Sequence, residues 1–419
     1  MRLVVFALCL AGPGLSNATA VVPTKYRFES ATVTDLGTLG GPMSFAHDIN
    51  EGGDIVGQAY DASSKAHAVA WFSGTIYDLH SGTPSWHTAT AYSINDQRLV
   101  VGKYLQTGMF GKWRAFMYYP GTWLTPLAGH NPAPDLPYVW DTFAYAINNS
   151  GRIAGEAIRF PSLPPPPDTG ADLCYENLPV QWMPGVSDPV PLFCVTDVNG
   201  DNNYNPDGSE GTWPKAYDVN ESGNFVGNDG ASTPWSMFLF KDGVRIAVPP
   251  PAGAPDMTLD GEATGINNKN WVVGTFGWPT GAQYFRGFVW DGVSANSVNL
   301  GMLPGGKHSY AEEINEQNMV AGTSERGYGP WPMVRSAGYI WHSDFGMKQL
   351  PGLGGAFGVA NGHLVYMYDS CWALSLNDRK KTTGMVQVVG WCDVGGWPHA
   401  VRWDVKISIV PALPIAPLP

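Results

Sequence analysis

The sequence predicts an all-β protein: a single seven-bladed β-propeller of four-stranded blades, closed by the N-terminal strand completing the last blade. Three observations predict it. One phrase recurs seven times, Ala, three residues, Asn, then an apolar pair and Gly, with asparagines at Asn50, Asn95, Asn148, Asn220, Asn267, Asn315 and Asn377. Each copy is followed by a short apolar run ending in an aromatic. The last copy lacks a final hairpin, while the N-terminus carries a strand with no unit before it. A repeat of roughly 50 residues with strand-like content means a propeller or a solenoid. A right-handed solenoid is the alternative, disfavoured because its repeats are usually shorter and more even.

The elements follow in order. Residues 1–20 read as a secretory signal: Arg2 gives the positive end, Val4 to Ala11 the apolar stretch, and Ala18-Thr19-Ala20 the cleavage pattern. Residues 21–410 then form the propeller, and residues 411–419 a Pro-rich tail. Residues 31–37 have the character of a fourth strand. Within each unit, strand a holds the Ala (Ala46, Ala91, Ala144, Ala216, Ala263, Ala311, Ala373) and ends at the Asn, which suits a tight turn. Strand b ends at the apolar-Gly pair (Gly57, Gly102, Gly155, Gly227, Gly274, Gly322, Gly390). Strand c is the aromatic run, such as His67 to Trp71 or His399 to Trp403, and strand d follows a turn glycine in six copies. Small alanines suit the crowded innermost strands near an axis, and a closed ring leaves only short, protected edges. After Trp403 the chain runs on to Val410 with no turn glycine, so the N-terminal strand must supply the missing partner.

Asp35-Leu-Gly-Thr-Leu-Gly-Gly41, Ala46, Asn50, Gly57 and His67-Ala-Val-Ala-Trp71 together resemble the bacterial extracellular HAF repeat, named for the His-Ala-Phe of its third strand. The resemblance covers most of residues 31–403, strongest in the first unit and weakest in the fourth, where Ser236-Met-Phe stands instead. It implies a secreted or surface-associated protein. It carries over no activity and no catalytic residue.

Bulk composition narrows the function. The 419 residues are 44% hydrophobic and 14% charged, enough for a core and unlike a disordered chain. A formal charge of −12 disfavours nucleic acid as a partner. No stretch after the signal is long and apolar enough to predict a membrane span. Length varies in the b–c and d–a connections, which strand alternation puts on one face: 128–142, 156–177, 195–214, 275–285, 323–336 and 351–371. They hold Trp140, Trp213, Trp278 and Trp331, which with nearby Asn and Asp suit stacking on sugar rings, or pack the loops together.

Four cysteines follow the signal. Cys174 and Cys194 flank one c–d hairpin, and Cys371 and Cys392 an extended a–b hairpin, so these two pairings are expected. Asp197, Asn199, Asp201, Asn203, Asn205 and Asp207 alternate like the start of a calcium loop. The match fades at its sixth position, Asn202, and its twelfth, Gly208. The competing reading is a polar turn capping its own backbone. No nucleophile elbow, zinc motif or phosphate loop occurs. Asp135, Asp141, Asp168, Glu325 and Asp369 are loop acids that could pair as acid and base, or stay solvated. Asn148 and Asn220 begin formal glycosylation triplets but double as repeat residues. The expected function is a secreted or cell-surface binding or adhesion module recognising glycan or extracellular protein through the insertion-rich face. A polysaccharide hydrolase or lyase on that face is the first alternative, and a structural surface or matrix component the second.

Overall fold

The computed structural model describes residues 24–79, 81, 86–106, 112–122, 124–127, 141–158, 178–185, 189–193, 214–228, 237–254, 261–280, 282–328, 333–354, 356–360, 363–367 and 370–411. These form seven four-stranded antiparallel sheets and one two-stranded hairpin, with no helix among the described residues. The first six blades each take four consecutive strands, as in blade 1: Gly40–Ile49 (a), Ile55–Asp61 (b), Ala66–Phe72 (c) and Thr75–Asp78 (d). Strand a of blades 2 to 6 is Trp86–Ile94, Asp141–Ile147, Lys215–Val219, Gly261–Ile266 and Ser309–Ile314.

Blade 7 is built from both ends of the chain. Cys371–Leu376, Met385–Val394 and Trp397–Pro411 are its strands a to c, and the N-terminal strand Thr24–Asp35 is its strand d. That strand pairs antiparallel from Thr24↔Pro411 to Asp35↔Val401. It starts earlier than residues 31–37 because Trp397–Pro411 runs past its other neighbour and gives the extra length a partner.

Among the described residues the hydrophobic core forms seven clusters, one at each junction between neighbouring blades. Val226, Met237 and Leu239 of blade 4, for example, meet Ala263, Val272 and Phe288 of blade 5. Met319 and Ile340 of blade 6 meet Val386, Val388 and Trp403 of blade 7. Each blade therefore buries its apolar faces against its two neighbours.

The repeat phrase is the hardware of each blade. A Cβ on Gly57, Gly102, Gly155, Gly227, Gly274, Gly322 or Gly390 would lie between 1.8 and 2.2 Å from a carbonyl oxygen of strand a. Each of these glycines pairs with the repeat Ala, as Gly57 does with Ala46. Immediately after the Ala the register slips by one residue in all seven blades. Such a bulge leaves the extra residue unpaired and re-aims its side chain.

The asparagine then does two jobs. Its Oδ1 accepts backbone N–H groups of its own a–b turn, as Asn315 does from Gln317 and Met319. Its Nδ2 donates to the carbonyl of the next blade's asparagine, from Asn50 to Asn95 and onward until Asn377 returns to Asn50, at 2.9–3.4 Å. The seven bonds make a closed ring around the axis. A second ring lies outside it: the side chains of Glu51, Asp96, Asn149, Glu221, Asn268, Glu316 and Asp378 each accept the preceding blade's backbone N–H at 2.7–3.0 Å. Asn148 and Asn220 are ring members, each 4% exposed, which sets them apart from ordinary glycosylation acceptors.

Two of the long connections differ from loops. Strands b and c of blade 5 stay paired out to Thr280↔Ala282, and those of blade 6 to Tyr328↔Met333. Between blades 6 and 7 the chain adds a hairpin, Ala356–Ala360 with His363–Met367.

Candidate functional site

The seven strands a surround an axial channel, and the bulge decides what lines it. The bulged residues, three before each Asn, are His47, Tyr92, Tyr145, Tyr217, Thr264, Glu312 and Leu374. Blades 1 to 4 therefore present a collar of rings at one level: His47–Tyr92, Tyr92–Tyr145 and Tyr145–Tyr217 have centroids 5.5, 5.5 and 5.8 Å apart. Towards the face of the b–c and d–a connections the run continues. Phe45 lies 6.5 Å from His47, Trp391 meets Phe45 edge-on at 5.5 Å, and Trp372 stacks on Trp391 at 3.8 Å. An unbroken arc of seven rings thus passes from blade 7 to blade 4, and such rings combine an apolar face with polar tips.

Blades 5 and 6 close the opposite side with carboxylates. Tyr217 donates its hydroxyl to Glu262 Oε1 at 2.7 Å. Burial pushes Glu312 up to about 7, and the neighbouring Glu262 charge adds to the rise. Burial also pushes Glu156 up, although Lys215 and Lys103 oppose it, and Tyr145 donates to its Oε1. His47 Nδ1 lies 2.8 Å from the Ala91 carbonyl oxygen, and burial lowers the pKa of the imidazole.

Between the collar and the a–b turns lies a cavity of about 380 Å³. Asp48, Asp218 and Glu313, two before their asparagines, line it together with Ser93 and Ser375. Asp48 accepts from both serine hydroxyls, at 2.8 and 2.7 Å. Burial raises Asp218 to about 6 and Glu313 further above its usual range, each helped by neighbouring carboxylates. No group of three His, Cys, Asp or Glu among the described residues is arranged to hold a metal ion.

Few of the residues expected from the sequence are among the described ones. Trp140, Trp213 and Trp331, the loop from Asp197 through Asn199, Asp201, Asn203 and Asn205 to Asp207, and Cys174 and Cys194 all lie outside the described residues. Trp278 sits in the blade 5 b–c hairpin opposite Tyr284. Cys371 and Cys392 pair directly and are joined, with S–S 2.08 Å. Asp135, Asp168 and Asp369 are likewise outside the described residues. Asp141 and Glu325 serve backbone: Asp141 accepts from Trp113 N–H, and Glu325 from Lys307 and His308 N–H. His67 and His399 are cross-strand ties to Asp78 and Asp35 at 3.0 and 2.9 Å.

The collar was not among the expected residues. Its only trace in the sequence is the column between the Ala and the Asn, where the residue type changes with every blade.

No protein-family model and no curated protein matches the sequence. Among solved structures it is similar to a protein of unknown function from Dyadobacter fermentans, at 13% identity and TM-score 0.40, covering 92% of this chain and 100% of that one. It is also similar to Trypanosoma rangeli sialidase at 8% identity and TM-score 0.37, covering 90% of this chain and 59% of the sialidase. A third likeness is an ulvan lyase of polysaccharide lyase family PL25, at 12% identity and TM-score 0.33, covering 85% and 76%. At these identities and TM-scores the likenesses do not reach the channel residues. What the chain itself establishes is a seven-bladed β-propeller whose axis is walled by aromatic rings on one side and carboxylates on the other.

Proposed function

We propose that the protein is a secreted glycan-binding module of the HAF-repeat kind, gripping a sugar chain at the axial channel. The observation that carries this is the arc Trp372, Trp391, Phe45, His47, Tyr92, Tyr145 and Tyr217. Sugar rings offer flat C–H faces to such a wall and hydroxyls to the polar groups opposite. A few placed polar groups on a mostly apolar wall are the usual composition of a ligand site. The signal at residues 1–20 and the calcium loop at 197–207 belong to the same proposal, the first as export and the second as a brace for the insertion-rich face.

Affinity electrophoresis and calorimetry against a panel of neutral and acidic polysaccharides test it. Wild type is expected to be retained without product release, and Tyr92→Ala and Trp372→Ala to weaken binding about tenfold each, or roughly 1.4 kcal/mol. Their thermal unfolding checks that the ring is intact. Retention unchanged in both variants overturns the channel as the site. Loss of retention under a calcium chelator brings in the 197–207 loop.

A second reading has its own observation. Glu312 sits near neutrality beside Glu262, which Tyr217 holds, and two carboxyl groups in unlike surroundings are what acid–base cleavage of a glycosidic bond requires. New reducing ends or unsaturated products in the same incubation select that reading.

A further inference from the structure

The residue after each closing glycine lies on strand b beside the channel wall: Gln58, Lys103, Glu156, Asn228, Thr275, Thr323 and Trp391. In blades 2 to 4 this position leaves an unusual set of polar groups unmatched. Glu156 is 2% exposed and its Oε2 has no hydrogen-bond partner; Asn228 is 1% exposed and its Oδ1 has none either. Buried acceptors of this kind are uncommon and each needs an explanation.

The donors nearby are also unmatched. Lys103 Nζ makes no hydrogen bond and no ion pair among the described residues; it rests over the rings of Trp113, Phe143 and Tyr92 at 4.6, 5.1 and 5.4 Å. Lys215, directly opposite Asn228 in the strand pairing, lies over Tyr217 at 5.8 Å and likewise has no polar partner among the described residues. Both ammonium groups act on Glu156, and each acts on the other as a like charge. Two neighbouring cations without a direct ion pair, and two buried acceptors without a donor, form an incomplete polar set.

We propose that Lys103, Glu156, Lys215 and Asn228 form a subsite for an anionic sugar residue, its acid group seated on the two ammonium groups and its hydroxyls donating to Glu156 Oε2 and Asn228 Oδ1. The subsite rests on the glycan reading and touches the Tyr92–Tyr145–Tyr217 section of the arc. Both lysines are partly buried and, among the described residues, held by ring contacts without a hydrogen bond, so their flexible stems can turn to the ligand and uncover the acceptors. An anion bridging both ammonium groups relieves their mutual repulsion and gains charge-assisted hydrogen bonds. A neutral sugar can satisfy the acceptors and leaves the cations as they were.

Matched oligosaccharides test this. Calorimetry on the full-length protein compares oligogalacturonate with its methyl ester, and a sulfated galactan with its desulfated form. The acidic member of at least one pair is expected to bind about tenfold tighter at low salt, the preference shrinking as salt is raised. Lys215→Met is expected to abolish the preference, bringing the acidic affinity down to that of the neutral partner measured on the same variant. Lys103→Met repeats the test from the other blade, with the unfolding midpoint as its folding control. A preference confined to the uronate pair or to the sulfated pair identifies which acid group the subsite takes. Equal affinity within both pairs overturns the subsite and leaves the glycan reading standing. Absence of binding to any member overturns both.

Discussion

Glu312 illustrates how a single channel residue ties stability to pH. Burial first, and the Glu262 charge second, raise its pKa from 4.5 to about 7. Between those values the unfolded chain has lost the proton while the native channel keeps it. The native state then binds more protons, so this group makes stability fall as pH rises through the window. His47 and His342, whose pKa values burial lowers, act in the opposite sense below about pH 6.5, so the whole-protein profile mixes the two. Glu312→Gln separates them. The variant is expected to match wild type near pH 4.5 and to be more stable above pH 7, by on the order of 1–3 kcal/mol. Thermal unfolding across pH 4.5 to 8 reads the difference, and a difference that does not change with pH overturns the assignment. A carboxyl poised near neutrality can exchange its proton at working pH where an ordinary surface acid would not.

At the scale of one blade, the Ala–Asn–Gly phrase is a packing device whose parts test differently. At Gly155 a Cβ would meet the Phe143 carbonyl oxygen at 2.0 Å and a Trp182 ring carbon at 2.8 Å, so strands a and b could not stay paired. Gly155→Ala is expected to cost more than about 4 kcal/mol in urea unfolding or to abolish soluble expression. Gly185, in the c–d turn of the same blade, has φ +76° and open space around it. Gly185→Ala there carries only left-handed strain, about 1 kcal/mol. Equal effects at the two glycines overturn the account. The phrase was legible in the sequence because each position has one steric answer: a small residue against the neighbouring blade, an amide that bonds its own turn, and no side chain beneath a carbonyl. The Cys371–Cys392 pairing was legible for a similar reason, as the two flank one hairpin. The collar was not. Its column runs His47, Tyr92, Tyr145, Tyr217, Thr264, Glu312, Leu374, and a position that lines the axial channel instead of a blade junction has no packing rule to make it repeat. The Nδ2 half of each asparagine was equally hidden, because its partner belongs to another blade.

For the whole molecule, closure is a matter of one strand. Every core cluster is shared by two blades, so an open ring would leave two exposed faces at the break. The strand Thr24–Asp35 prevents this by completing blade 7, and Tyr26, Phe28, Ala31 and Val33 pack against the cluster between blades 6 and 7. Its influence reaches the axis through blade 7, whose Asn377 closes the asparagine ring on Asn50 and whose Ser375 bonds Asp48. Deleting residues 24–35 is therefore expected to lower the unfolding midpoint by on the order of 5–10 °C, or to yield soluble aggregates through the bared edge of Trp397–Pro411. A synthetic peptide of residues 24–35 added in trans should restore the midpoint, because its partner strand is already ordered by Met385–Val394 on the other side. Light scattering and thermal unfolding of the truncated chain, with and without the peptide, decide it. A truncated chain that stays monomeric with an unchanged midpoint would show that the ring is held by its blade junctions alone. Rescue by the peptide would show that the strand closes the ring through its pairing with Trp397–Pro411 and needs no covalent link to blade 1.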